Sequence, residues 1–130
     1  MILVIDVSSK QYAKLGLLSE NQAFWHKFLA DYNFSQKLPL EIAKFLKKQR
    51  IKPVNLQKIA VSGGNGPFSR TRSAVASANA LAFALNIPII PILALNPAFV
   101  WKKLQKIQPQ TIVLPLYDRD PNITISKVKS

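Results

Sequence analysis

The sequence predicts an α/β fold with one mixed sheet, and three observations support this prediction. The chain opens with a short continuous apolar run at residues 2–7, which is typical of a strand buried on both faces. Two more short apolar segments follow after brief polar breaks, which is typical of an antiparallel meander. Strand-like and helix-like segments then alternate, and such alternation implies right-handed crossovers and parallel strands. The expected order is βββ-α-β-α-β-α-ββ.

The predicted strands are short and apolar, and they are separated by polar or helix-like segments. They cover residues 2–7, 13–18, 22–28, 58–62, 87–92, 111–116 and 122–128. No internal repeat, low-complexity tract or linker interrupts the chain, so the sequence predicts a single domain over residues 1–130.

The first predicted helix covers residues 38–50, where the apolar residues change to a helical period. One face of this helix carries Leu38, Ile42, Phe45 and Leu46. Ser35 is the expected N-cap, and Pro39 is tolerable in a first turn.

A second helix of about five turns is predicted over residues 67–86, because it starts at Pro67 and is rich in Ala and Leu. A short amphipathic third helix is predicted over residues 97–107.

Composition excludes several classes of protein. The 130 residues contain no cysteine, which excludes disulfides, cysteine-ligated zinc and thiol catalysis. Asp6 interrupts the apolar N-terminus and no basic region precedes it, which argues against a signal peptide. The most apolar stretch, residues 81–95, is too short and too interrupted by proline to span a bilayer. We therefore expect a soluble, cytoplasmic protein with no membrane contact.

The charge is strongly basic: 18 Lys and Arg stand against 6 Asp and Glu, for a net charge of +12. This excess has two interpretations, a solvated basic surface or attraction to a polyanion such as RNA. The lysines cluster at residues 44–52, 102–106 and 127–129, and aromatic residues do not alternate with them as in a stacking platform. A basic RNA-binding protein is therefore the alternative function to be tested.

The glycine-rich segment "SGGNGPFSRTR" lies between a predicted strand and the second helix. Such a segment can bind phosphate through backbone N–H groups, and Gly63, Gly64, Asn65, Gly66, Arg70 and Arg72 form a candidate anion site. However, the spacing fits neither nucleotide fingerprint, and Pro67 removes one N–H donor. A tight turn that only starts the helix is the favoured interpretation.

The second helix carries a stripe of small residues along one face. Its members are Ser69, Ser73, Ala76, Ser77, Ala80 and Ala84. Small side chains allow another backbone to approach closely. The stripe therefore predicts either close packing within the chain or a helix–helix contact with another protein.

Several motifs resemble the N-terminal domain of the TsaB (YeaZ) family of bacterial tRNA threonylcarbamoyladenosine biosynthesis. "ILVIDVSS" resembles the family's opening I-L-x-I-D-T-S, and "KLPLEIAKFL" resembles its L-L-P helix start. Residues 62–92 align without a gap to a region containing G-x-G-P-G-S-F-T-G-x-R-I-G. The motif positions are occupied by Gly64, Gly66, Phe68, Ser69 and Arg72.

The chain departs from the family pattern at several motif positions. Val7 replaces the threonine after the aspartate, Arg70 replaces a glycine, and Asn33 stands where the family usually has histidine. The motif proline is shifted to position 67. The chain is therefore expected to be a divergent member, either a minimal functional subunit or a paralogue, without the family's second domain.

The resemblance implies an actin-like ATPase and sugar-kinase fold, which is ribonuclease H-like, with a βββαβαβα core. It implies a non-catalytic scaffold that pairs through its helices with a TsaD-type catalytic subunit, joined by a TsaE-type ATPase. The expected interface residues are Leu38, Ile42 and Phe45 of the first helix together with the small-residue stripe. Homodimerisation through the same helices is expected when the partner is absent. No cofactor or metal is expected, and tRNA would contact a basic surface.

Several other residues have side chains that could take part in chemistry or anchor an interface. His26, the only histidine, is expected to face solvent or a neighbouring strand rather than to catalyse a reaction. Asp6 and Asp118 follow apolar segments and could together hold Mg²⁺, although capping or pairing with a basic residue is the favoured interpretation. Trp25 and Trp101 are interpreted as core or interface anchors.

Overall fold

The computed structural model describes residues 1–9, 11–62 and 68–92, with backbone only for Phe68, Ser69 and Ile92. The elements are strands β1 (Ile2–Asp6), β2 (Tyr12–Leu18) and β3 (Ala23–Leu29), helix α1 (Phe34–Lys48), a 3-10 turn (Pro53–Asn55), strand β4 (Lys58–Ser62), helix α2 (Phe68–Leu85) and strand β5 (Ile89–Ile92). The elements predicted over residues 97–107, 111–116 and 122–128 lie outside the described residues.

The sheet confirms the predicted meander and parallel centre. Its strand order is β3-β2-β1-β4-β5. Strands β1, β2 and β3 pair antiparallel, whereas β4 pairs parallel with β1 and with β5. All five residues of β1 are buried, as expected for a strand covered on both faces.

Both described helices pack on one face of the sheet. On that face the odd-numbered residues of β1 meet α1 and α2 in a single hydrophobic core. The core side chains from α1 are Phe34, Leu38, Ile42, Phe45 and Leu46, and those from α2 are Ala74, Val75, Ala78 and Ala82. Burial of each large apolar side chain contributes about 1.5–3 kcal/mol, so this face supplies much of the driving force for folding.

The first helix begins earlier than predicted. Asn33, and not Ser35, is the N-cap residue, and Ser35 lies exposed within the first turn. The earlier start has a packing reason: Phe34 is only 3% exposed, and its ring stacks on that of Phe28 at 6.0 Å between centroids. Burial of Phe34 anchors one additional turn before the predicted helix start.

Both helices end in a left-handed residue that is not glycine. Arg50 follows α1 with φ of 58°, and Asn86 follows α2 with φ of 56°. After α1, the Ile51 N–H donates to the Leu46 carbonyl at 2.9 Å and the Arg50 N–H donates to the Lys47 carbonyl at 3.1 Å. This is the Schellman arrangement, which supplies donors to carbonyls left unpaired at a helix end.

Gly16 in β2 is required by a close contact with Trp25. The two residues are cross-strand partners, and the Trp25 ring atom Cζ3 lies 2.5 Å from the place a Cβ of residue 16 would occupy. The indole therefore rests on the backbone of β2, where any side chain at position 16 would displace it.

Neither described helix is long and apolar enough to cross a membrane.

The left-handed conformation of Arg50 predicts a stabilising substitution. Arg50→Gly should raise the free energy of unfolding by about 0.5–1 kcal/mol, because that conformation costs about 1–2 kcal/mol in a residue with a side chain and the greater chain entropy of glycine offsets part of the gain. Urea denaturation followed by circular dichroism measures the change. Lys44→Gly, on the exposed side of α1, is the matched control and should destabilise by about 1 kcal/mol. A loss of stability in Arg50→Gly would contradict the assigned helix end.

Candidate functional site

The carboxyl ends of β1 and β4 and the start of α2 meet at one edge of the sheet, which is a common place for ligand sites in α/β proteins. Here Asp6 and Ser62 bind the chain's own backbone, whereas the hydroxyl of the buried Thr71 in α2 has no hydrogen-bond partner among the described residues. Asp6 is 4% exposed, and its Oδ1 accepts a hydrogen bond from the Ser8 N–H at 3.0 Å. The hydroxyl of Ser62 accepts from the buried Val7 N–H at 2.9 Å. These contacts fix the end of β1 against the end of β4.

The predicted anion site is only partly described. Gly63, Gly64, Asn65 and Gly66 lie outside the described residues. The guanidinium Nη1 of Arg70 donates to the Ser9 carbonyl at 3.0 Å, so this side chain joins the start of α2 to the loop after β1. Arg72 is exposed. An anion site at this edge therefore stays a prediction, and Arg70 already has a structural partner.

His26 holds β3 against α1. It is half-buried on the helix-facing side, and its Nε2 lies 2.7 Å from Oε1 of Glu41. Its ring also stacks on Phe45 at 5.7 Å and on Phe28 at 5.9 Å between centroids. The expectation that His26 faces solvent or a neighbouring strand missed this contact with the helix, which only the tertiary fold creates.

Asp118, which with Asp6 was one candidate pair for Mg²⁺, lies outside the described residues, and the Asp6 carboxylate accepts from the Ser8 N–H, in line with the favoured capping role. Within the described ranges, no group of three or more acidic, histidine or cysteine residues is placed to hold a metal ion.

The small-residue stripe of α2 lies largely on the surface. Ala76, Ala80 and Ala84 are exposed, and Ser73 and Ser77 are half-buried. The side chain of Ser69 lies outside the described residues. A different set of α2 residues faces the sheet: Ala74, Val75, Ala78 and Ala82. The exposed alanines of the stripe therefore do not pack against the sheet.

The three interface residues predicted on α1 lie in the core and not on the surface. Leu38, Ile42 and Phe45 are 0%, 6% and 3% exposed and belong to the hydrophobic core. A partner that rests on the folded domain would meet the outer side of α1 instead, where Leu40 is 61% exposed. The resemblance implied an interface role for these residues, but their apolar period is the one by which α1 packs into its own domain.

One surface residue escaped the sequence analysis. Phe83 is 88% exposed and lies on the same face of α2 as Ala76 and Ala80, from which it is seven and three residues away. Beside it lies an open groove of about 850 Å³, lined by Asn79, Ala80, Ala82, Phe83, Asn86, Ile87 and Pro88. The i+7 spacing from Ala76 and the i+3 spacing from Ala80 would have found this phenylalanine within the span of the stripe.

Comparisons with known proteins place the chain in a family. Residues 28–118 match the family described as TsaD, tRNA N6-adenosine threonylcarbamoyltransferase. The solved structure of YeaZ from Pseudomonas aeruginosa is similar, with 26% sequence identity and a TM-score of 0.65, over 70% of this chain and 42% of that chain. A second structure, described as an uncharacterized protein with similarity to peptidase YEAZ from Pseudomonas aeruginosa, gives the same values. No curated protein matches the chain significantly.

The sheet order, the parallel centre and the two helices on one face define an α/β protein of the actin-like, ribonuclease H-like class. Because the family match extends over more than half of the chain, the protein belongs to the TsaD family. Within that family it is a divergent YeaZ-like, or TsaB-like, protein that corresponds to the N-terminal part, and the similarity spans less than half the length of the YeaZ structures.

The Ser62–Val7 hydrogen bond at the strand ends can be tested directly. Ser62→Ala should lower the free energy of unfolding by about 1–3 kcal/mol, because the buried Val7 N–H loses its acceptor. Ser77→Ala, which removes a half-buried hydroxyl from α2, is the control and should change stability by less than about 0.5 kcal/mol. Urea denaturation measures both variants. Equal stabilities for the two would show that this bond does not secure the end of β1.

Proposed function

We propose that this protein is a non-catalytic, TsaB-type subunit of the bacterial tRNA threonylcarbamoyladenosine machinery, and that it pairs with a TsaD-type catalytic subunit. The family membership supports the assignment to this tRNA modification system. The likeness to YeaZ supports the assignment as a TsaB-type subunit. The observation that carries the pairing is the exposed face of α2, where Ala76, Ala80 and Phe83 lie together.

The geometry of this face suits a helix–helix contact. Alanine side chains allow a facing backbone to approach closely, and Phe83 projects a large apolar ring beside them. Burial of this phenylalanine against a partner would contribute about 1.5–3 kcal/mol. Aromatic residues are enriched at the buried core of protein interfaces.

The outer side of α1 carries a further exposed apolar residue. Leu40 is 61% exposed, and lysines follow it toward the end of the helix at positions 44, 47 and 48. An apolar centre with a charged rim is the usual composition of a specific interface. In this arrangement the buried residues Leu38 and Ile42 support the surface by holding α1 in place.

The non-catalytic role is supported by the engagement of four polar side chains that could carry chemistry. Asp6, Ser62 and Arg70 each bind backbone groups of β1 or of the loop that follows it. His26 is bound to Glu41 on the helix face. Catalysis would then belong to the TsaD-type subunit, and this chain would position it.

Two variants test the pairing. Ala80→Leu places a bulky side chain where close approach is needed, and Phe83→Ser removes the anchor. Each should weaken the affinity for the TsaD-type subunit about tenfold or more, which corresponds to about 1.4 kcal/mol. Val54→Ser is the control, because Val54 is 77% exposed in the 3-10 turn, outside both helices. Titration calorimetry with the purified TsaD-type subunit measures each affinity.

Affinity purification of the tagged chain from its own cells, with and without nuclease, identifies the partner. Recovery of a TsaD-type subunit that survives nuclease supports the proposed pairing. A self-associated chain that both helix variants disrupt would instead make α2 a homodimer surface. Unchanged affinity in Ala80→Leu and Phe83→Ser, with the fold intact by circular dichroism, would refute the assignment of α2 as the interface.

A further inference from the structure

The sheet face opposite the helices carries an exposed basic and aromatic cluster on β2 and β3. Its members are Tyr12 and Lys14 on β2 and Trp25 and Lys27 on β3, and we refer to these four residues as the strand cluster. Trp25 is 43% exposed, Tyr12 is 37% exposed, Lys27 is exposed and Lys14 is half-buried. The β2 pair and the β3 pair are distant from each other in the sequence, and the antiparallel register brings them together.

Lys14 and Lys27 are direct cross-strand partners. Like charges placed opposite each other on a sheet are unfavourable, by roughly 0.2–1 kcal/mol. Neither β2 nor β3 contains an acidic residue. Asp6 is the neighbour of Lys14 on β1, but its carboxylate binds the Ser8 N–H, and no ion pair joins Asp6 to Lys14 in this described part of the sheet. Among the described residues, no ion pair compensates these two cations, which lie beside an exposed indole.

The two aromatic rings of the strand cluster have different roles. The ammonium of Lys27 lies 4.5 Å from the centre of the Tyr12 ring, which holds this cation in place. The Trp25 indole rests on the backbone at Gly16 and is partly exposed. Trp25 is two residues from Lys27 along β3, or about 7 Å. A flat apolar ring thus lies next to two lysines, and one of them, Lys27, is held by an aromatic ring.

We propose that the strand cluster binds single-stranded RNA, with a base stacked on Trp25 and a neighbouring phosphate held by Lys14 and Lys27. Exposed aromatic residues on a sheet stack bases, and adjacent lysines neutralise the phosphate backbone. The net charge of +12 favours a polyanionic partner, and the acid-free strands make this face complementary to one. The site goes beyond the proposed pairing, because it lies on the other side of the sheet and uses none of the helix residues.

The strand cluster differs from the lysines that cluster in the sequence. On α1, Lys44, Lys47 and Lys48 are exposed at the end of the helix. They attract any polyanion, but the exposed large apolar residue of α1 is the aliphatic Leu40, which cannot stack a base. The strand cluster should therefore prefer RNA to a polyanion without bases, whereas the lysines of α1 should not.

Fluorescence anisotropy with a labelled 12-nucleotide oligouridine and the full chain tests the proposal. Trp25→Ala should weaken binding about tenfold, because stacking on an aromatic side chain contributes about 1–3 kcal/mol per base. Trp25→Phe should retain most of the affinity, since it keeps an aromatic face. Lys14→Gln with Lys27→Gln should also weaken binding and should lower the dependence of log K on log salt by about 0.7, because one phosphate contact is lost. Inorganic polyphosphate should compete poorly at equal charge.

Lys44→Gln with Lys47→Gln is the matched control, because it removes the same charge from an exposed helix surface. It should change oligouridine affinity less than threefold. Equal losses in the two double variants would overturn the site and assign binding to net charge alone. Wild-type affinity in Trp25→Ala, or equal competition by polyphosphate, would overturn the stacking.

Circular dichroism and thermal melting establish that each variant is folded. If Trp25→Ala does not fold, the comparison of Trp25→Phe with the two lysine pairs decides the outcome. The affinity of the strand-cluster variants for the TsaD-type subunit is measured in parallel and should equal that of the wild type. Failure of RNA binding with intact pairing therefore rejects this site alone, whereas failure of pairing with intact RNA binding rejects only the proposed function.

Discussion

The burial of β1 on both faces is the constraint on which the rest of the structure depends. Its backbone bonds antiparallel to β2 on one side and parallel to β4 on the other. The antiparallel side sets the register of β2 and, through it, that of β3. The parallel side sets the end of β4 and hence the point where α2 starts. Both proposed surfaces are positioned by this one strand, the helix face through β4 and the strand cluster through β2.

The sequence predicted the parts of the fold that local patterns determine. The continuous apolar run of β1, the short spacing of the next two strands and the strand–helix alternation were enough for a mixed sheet with a parallel centre. The start of α2 was predicted within one residue, because Pro67 and the Ala-rich run that follows it both favour a helix. The start of α1 was missed because Phe34 is held by a contact with Phe28 on another element.

The candidate sites were harder to predict than the fold, since they depend on which residues meet in space. Helical period correctly grouped Leu38, Ile42 and Phe45, but period alone does not tell whether a face meets a partner or its own core. The glycine-rich motif marked the start of α2 without showing that Arg70 binds the Ser9 carbonyl. Lys14 and Lys27 gave no sequence signal, because thirteen positions separate them and only the β2–β3 register pairs them.

The two surfaces also differ in the physics by which they would select a partner. The exposed face of α2 around Ala80 and Phe83 is apolar, with charge confined to the first turns of the helix and to the lysines of α1. Binding there depends on shape and apolar burial, which salt affects little. The strand cluster presents cations beside an aromatic ring, so its affinity falls with salt. Because the sheet lies between them, the two proposed surfaces share no residues, so a protein subunit and a nucleic acid would not compete for the same side chains.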